Sequence, residues 1–198
     1  MSPRIYRMTR RAAANAETRR RIVDAAIALH AEKGVLGTSW PDIAKRADVA
    51  LGTVYRHFPS LEQLVPACTS ENAIRIKPPN SSLLDGLTHP DERMDRFVQD
   101  LFAFYSRSAP WTPRASVDRQ HLPVLDGILS RREAGLKALV DETLGPLRRR
   151  RHALEAALAL TDFGVWWSLT RSGLSTEAAG RLITKILMAW LKPRSKTR

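Results

Sequence analysis

Seven consecutive residues, Gly52-Thr53-Val54-Tyr55-Arg56-His57-Phe58, bring a hydroxyl, a phenol, a guanidinium and an imidazole together in one short segment. These groups donate and accept hydrogen bonds, and a neutral imidazole can donate one without carrying a full charge. Gly52 would let a helix come close to a base edge or a phosphate, although an interior glycine costs about 1 kcal/mol against alanine. Thr53 can meet a thymine methyl or a phosphate, and Arg56 can reach a guanine or stay solvated. Val49, Val54 and Phe58 are apolar and are read as packing beneath a preceding helix. Upstream, Thr38 and Ser39 read as helix caps, and the backbone N–H groups at the same helix terminus can also hold a phosphate.

A helical scaffold must carry these groups, because apolar residues recur at steps of three and four through nearly every segment and no strand alternation is visible. The spacing predicts helices over about 18–33 (stopped by Gly34), 40–47, 51–57 and 61–76, with Asp48-Val49-Ala50 as the turn between the second and third. Two short helices about such a turn form a helix-turn-helix, whose second member fits the major groove. Lys77-Pro78-Pro79-Asn80-Ser81-Ser82 is a natural boundary. Beyond it the pattern predicts helices over about 90–108, near 112, over 123–144, over 150–172 as one element, and over 175–191.

Composition narrows the function classes. The chain has 198 residues and a formal net charge of +12. No apolar run approaches the ~18 residues of a membrane span, which excludes a channel or pump. No secretory signal and a single cysteine, Cys68, point to the cytoplasm. There is no phosphate-cradling glycine loop, no metal-ligand spacing and no nucleophile signature around Cys68, so neither an enzyme, a metal site nor a cofactor is expected. Residues 1–21 carry seven Arg and one Glu, residues 22–76 five basic and six acidic side chains, residues 77–147 nine and ten, and residues 148–198 eleven and three. The basic excess therefore sits at the two ends. An N-terminal arm over 1–16 is either a solvated tail or, beside a DNA-reading module, a phosphate or minor-groove contact. Arg148-Arg149-Arg150-Arg151 reads as a solvated cap.

The segment 17–66 resembles the DNA-binding domain of TetR-family regulators. The likeness rests on Glu17-Thr18-Arg19-Arg20-Arg21-Ile22, Ala25-Ala26, Gly34, Asp42-Ile43-Ala44, Gly52-Thr53-Val54-Tyr55-Arg56-His57-Phe58 and Glu62-Gln63-Leu64. It implies an all-α chain with an N-terminal helix-turn-helix domain over 17–76 and a helical ligand-sensing and dimerisation domain over 77–198. It also implies DNA contacts at Thr38, Ser39, Trp40, Lys45, Leu51, Gly52, Thr53, Tyr55, Arg56 and His57, with Tyr55 and His57 on backbone phosphates. Three positions depart from the family pattern: Asp48 replaces the usual turn glycine, Ala50 replaces a serine-like cap, and Leu61 stands where many relatives carry a lysine.

The function so implied is a sequence-specific transcriptional regulator, a homodimeric repressor on a palindromic double-stranded DNA operator, released by a small molecule. Phe97, Phe102, Tyr105, Trp111, His121, Leu125, Phe163 and Trp167 are candidates for the effector pocket, with ordinary core packing as their alternative. Trp166, Ile183, Leu187 and Trp190 are candidates for the subunit interface. Two other readings stay open at this point, a sequence-blind architectural DNA binder and an interaction adaptor that keeps the helix-turn-helix as scaffold.

Overall fold

A computed structural model describes residues 3–192, with side chains from residue 10 onward. Ten α-helices and two short 3-10 turns make up the described residues, which contain no strand. Contacts divide the chain into two units, one of residues up to Arg75 together with Pro110–Leu129, the other of Ile76–Ala109 together with the residues from Ser130 onward. The sequence places 77–198 in one second domain, whereas the structure returns 110–129 to the first unit.

In that first unit, the head, α1 runs over Pro3–Lys33. It begins some fifteen residues before the predicted start at Thr18. Pro3 suits a first helical turn, and the following stretch, rich in Ala and Arg, has nothing to break a helix until Gly34. Residues 3–16 of the expected arm are therefore helical; residues 1–2, and the side chains of Arg4 and Arg7, lie outside what is described. Then come α2 (Trp40–Ala47), α3 (Leu51–His57), α4 (Leu61–Ile76), α6 (Thr112–Asp118) and the start of α7 (Pro123–Leu144). Ile22, Ala26, Ile43, Val54, Phe58 and Leu64 are at most 1 % exposed and form the centre of the main core. A second apolar cluster joins Val35 and Val65 to Leu122, Leu125 and Leu129, and Leu61 packs against both.

Two hydrogen bonds fasten the ends of α6 to α1. The Trp111 indole Nε1 donates to the Ile27 carbonyl at 3.0 Å, and Asp118 Oδ2 accepts from the Val35 backbone N–H at 2.6 Å. Gly34 is required here. Its φ is +79°, and a Cβ would lie 2.6 Å from Asp118 Oδ2.

The second unit is built on α5 (Pro90–Ser108), along which α10 (Thr176–Leu191) packs. Met94, Phe97, Val98, Leu101 and Phe102 of α5 and Ile183, Leu187 and Leu191 of α10 are buried. The predicted single helix over 150–172 is instead α8 (Ala153–Leu160) and α9 (Phe163–Arg171). The break falls at Thr161-Asp162, where Asp162 Oδ1 accepts from the Gly164 N–H at 2.7 Å and caps a new helix. The Thr161 carbonyl, released from the helix ladder, accepts from the Tyr105 hydroxyl at 3.1 Å.

Candidate nucleic-acid interface

The helix α3 sorts its side chains by helical period. Val54 and Phe58, four apart, point into the core, while Leu51, Gly52, Tyr55 and Arg56 are exposed on the opposite side. Tyr55 keeps 44 % of its surface in solvent. Its ring lies 5.3 Å from that of Trp40, centroid to centroid, so the first residue of α2 steadies the phenol. Arg56 Nη2 donates to Thr53 Oγ1 at 3.3 Å, which holds the guanidinium along the helix. Space around Gly52 is open, since a Cβ there would meet nothing within 4 Å. Nothing inside the chain therefore calls for glycine at this position.

The remaining predicted contacts divide by role. Ser39 Oγ accepts from the Asp42 N–H at 3.2 Å and caps α2. The Thr38 hydroxyl donates to the Gly34 carbonyl at 2.6 Å. Both hydroxyls thus have partners in the head, and with Pro41 lacking an N–H and those of Asp42 and Ile43 bonded to Ser39, the Trp40 N–H is the donor that the first α2 turn offers an anion. Lys45 is exposed on α2, and His57 is half-buried at the end of α3.

The turn between α2 and α3 keeps its geometry despite Asp48. That residue sits in the left-handed region at φ 52° and ψ 56°, a conformation that aspartate tolerates better than most residues. The Arg21 guanidinium donates to the Ala47 carbonyl, to the Asp48 carbonyl at 2.8 Å and to Asp48 Oδ2 at 3.2 Å. Sequence reasoning missed this brace, counting Arg21 in the basic N-terminal charge and in the family likeness; the signal available was the aspartate in place of a turn glycine. Ala50 makes no side-chain cap, so α3 starts on backbone bonds alone. Leu61 is half-buried and packs its side chain against both apolar clusters, a place that suits a leucine better than a charged lysine.

Ion pairs set α2 against the end of α1. Lys33 meets Asp42 at 2.8 Å, and Arg46 holds Glu32 at 2.6 and 3.0 Å. The hydrogen bonds from Arg46 and Lys33 hold the Glu32 and Asp42 carboxyls below the usual carboxylate range. Beneath them His30 is buried, and burial pushes its imidazole down to about 4 against the opposing charge of Asp118.

The pocket and interface candidates scatter. Trp111 and Leu125 belong to the packing of the head, and His121 is exposed in the same unit. In the other unit Phe97 and Phe102 are fully buried core. Tyr105, Phe163 and Trp167 do come together. Phe163 meets Tyr105 edge-on at 5.4 Å, stacks on Trp167 at 5.8 Å and lies 5.3 Å from Trp166. Trp166, Ile183 and Leu187 are buried inside the protomer, which corrects their assignment to a subunit interface: their side of α9 and α10 is taken up by the protomer's own core. Trp190, the remaining interface candidate, is exposed, as are its neighbours Leu182 and Ile186 on α10 and Trp167 on α9.

A short helix braced by two others, with Gly52, Tyr55 and Arg56 facing solvent, has the form of a helix-turn-helix DNA-binding unit. Residues 22–68 match the family of bacterial regulatory proteins, tetR family. The chain is 29 % identical over 189 residues to the HTH-type transcriptional repressor KstR of Rhodococcus jostii, covering 85 % of this chain and 81 % of that protein. It is 36 % identical over 90 residues to the KstR repressor of Mycolicibacterium smegmatis, 44 % of this chain and 43 % of that one. A transcriptional regulator from Rhodococcus sp. Rha1 shares the fold with a TM-score of 0.67 at 20 % identity, over 87 % of this chain and 96 % of its own. The head thus carries a segment that matches the tetR-family DNA-binding model, and the likeness to transcriptional repressors supports a DNA-binding regulator. No helix among the described residues is long and apolar enough to cross a membrane.

Proposed function

We propose that the chain acts in the cytoplasm as a homodimeric repressor that reads a palindromic operator and is released by a small molecule. The observation that carries the DNA half of this reading is Gly52, a helical glycine with open space about it, flanked by exposed Leu51, Tyr55 and Arg56. In this reading Gly52 and Leu51 approach the bases, Thr53 and Arg56 contact base or phosphate, and Tyr55 and His57 hold the backbone. Thr38, Ser39, Trp40 and Lys45 secure the phosphates at the start and along the side of α2. Repression is the direction carried by the names of the KstR relatives.

Dimerisation is supported by α10, whose Leu182, Ile186 and Trp190 recur every four residues as an exposed apolar stripe, with Trp167 exposed on α9. Two heads on a two-fold axis read half-sites about one turn, ~34–36 Å, apart. The aromatic group of Tyr105, Phe163 and Trp167 is the part of the sensing unit best suited to an apolar effector.

The test is selection of binding sites from a random duplex pool at roughly physiological salt, where non-specific binding is already weakened. A recovered palindrome is the expected result. Recovery of no shared motif would favour the architectural or adaptor readings.

A further inference from the structure

Between Glu17 and Arg75 the basic side chains of the head fall into two groups. They are Arg19, Arg20, Arg21, Lys33, Lys45, Arg46, Arg56 and Arg75. Most of them hold a carboxylate. Arg20 meets Glu17 at 2.6 Å and Asp24 at 2.9 Å, and Arg21 meets Asp48 at 3.2 Å. Lys33 meets Asp42 at 2.8 Å, Arg46 meets Glu32 at 2.6 Å, and Arg75 bridges Asp24 and Glu71. Lys45, Arg56 and Arg19 remain, with no acidic partner among the described residues.

Lys45 on α2 and Arg56 on α3 already belong to the proposed DNA-facing surface. Arg19 does not, and its setting is particular. Its guanidinium lies 4.8 Å from the centroid of the Phe58 ring, and Phe58 is the residue that closes α3. Phe58 is 1 % exposed and belongs to the main core of the head, so Arg19 is part of what covers it. Arg19 itself is exposed and lines an open groove between α1 and α4 with Gln63 and Ala67. A guanidinium over a ring is held there by the aromatic quadrupole, while the N–H donors in its own plane stay free for other acceptors. None of those donors has an acceptor among the described residues. The next two arginines, Arg20 and Arg21, are satisfied inside the head; Arg19 is left over, at the end of the helix that faces DNA.

The helix α3 spans Leu51–His57, about 10 Å, and the major groove is about 12 Å wide with phosphates along both walls. A cation held at the end of such a helix meets a wall. We propose that the Arg19 guanidinium takes a backbone phosphate beside the C-terminal end of α3, and so completes with Lys45 and Arg56 a footprint of cations drawn from α1, α2 and α3. This deepens the proposed DNA reading and rests on it for the direction in which α3 faces. The contact positions the head and carries no sequence information. Because Phe58 is core, the ring that seats Arg19 also fixes the guanidinium relative to α3 before DNA arrives.

The test is fluorescence anisotropy of the full chain on a duplex of random sequence and on a selected site, each across a salt series. Arg19→Gln should weaken both by a similar factor, roughly five- to tenfold, and lower the salt slope by about 0.9 for each head that contacts the duplex. Arg20→Gln removes the same formal charge one residue away, from a side chain already paired, and should leave the slope unchanged. Arg19→Lys keeps the charge and loses the planar fork, so it should retain the slope with a smaller loss of affinity. Should Arg19→Gln fail to fold, Arg19→Met, which covers the Phe58 ring without a charge, takes its place with the same expected drop. An unchanged slope in the neutral variant would overturn the contact, and so would equal slope changes at Arg19 and Arg20 or a slope lost as fully in Arg19→Lys. A palindrome recovered by selection together with an unchanged slope would overturn Arg19 alone. No palindrome together with a lowered slope would overturn the reading of α3 and keep the Arg19 contact, and absence of binding to any duplex would overturn both.

Discussion

Asp118, at the end of α6, accepts a 2.6 Å hydrogen bond from the backbone N–H of Val35, 83 residues earlier in the chain, just beyond Gly34. The donor follows the left-handed turn at Gly34, where the chain has left the helix ladder, and both partners are buried. A carboxylate acceptor in such a place is worth more than a neutral one. Asp118→Ala should destabilise the head by about 1–3 kcal/mol, with Asp118→Asn intermediate because it keeps a carbonyl acceptor. Urea unfolding followed by circular dichroism measures both.

Gly52→Ala separates folding from recognition. The added methyl meets no atom of the chain, and alanine is favoured over glycine in a helix by up to about 1 kcal/mol. The variant should be as stable as the wild type or slightly more so, yet bind a selected operator at least tenfold more weakly. Thermal melts and fluorescence anisotropy on the same preparation read the two effects.

Arg56→Gln tests base reading directly. If the guanidinium meets a guanine, the loss is about 1–3 kcal/mol and specificity relaxes at one position of each half-site. If it meets only phosphate, affinity falls evenly across sequences and the salt slope drops by about one. Repeating site selection with the variant distinguishes these outcomes.

The two sides of α10 should respond differently to substitution. Leu187 is fully buried, and Leu187→Ala should cost about 2–5 kcal/mol of protomer stability. Ile186, with 43 % of its surface exposed, should tolerate Ile186→Glu within the fold while the protein shifts from dimer to monomer. Light scattering coupled to size exclusion reads the mass, and loss of folded structure in Ile186→Glu would count against the exposed stripe as the interface.

Acid should weaken the fold through His30. Burial holds its folded value at about 4, below the unfolded value of about 6.5. Between these values the unfolded chain binds the extra proton, so stability is full above about pH 6.5 and falls as the pH drops toward 4, by up to about 3 kcal/mol. His30→Leu should flatten that part of the melting profile between pH 4 and 7.

Much of the head was legible because its signals are local. Ser39 as a cap, Pro41 in a first turn, Gly34 as a left-handed stop and the four-residue step from Val54 to Phe58 each report the backbone within one turn of themselves. The α8–α9 break was not legible. It depends on Asp162 capping a new helix within an Ala- and Leu-rich run and on Tyr105, 56 residues away, taking the Thr161 carbonyl. The buried places of Trp166, Ile183 and Leu187 were hidden for a related reason. A helix apolar on two sides announces two neighbours, but periodicity does not say which side belongs to the protomer's own core. Arg21 and Asp118 act through partners 27 and 83 residues away, beyond any spacing rule.

The apolar cluster of Val35, Val65, Leu122, Leu125 and Leu129 bears on how such regulators can be cut and recombined. A fragment ending at the proline-rich boundary after residue 76 leaves Val35 and Val65 without the leucines that cover them, and removes the Trp111 and Asp118 bonds to α1. It should be sticky and poorly folded, however complete its helix-turn-helix looks in sequence. The transplantable piece is discontinuous. A chimera that exchanges DNA specificity between two such proteins has to carry residues 110–129 with the N-terminal helices, or else match the recipient's own α6 to the borrowed α1.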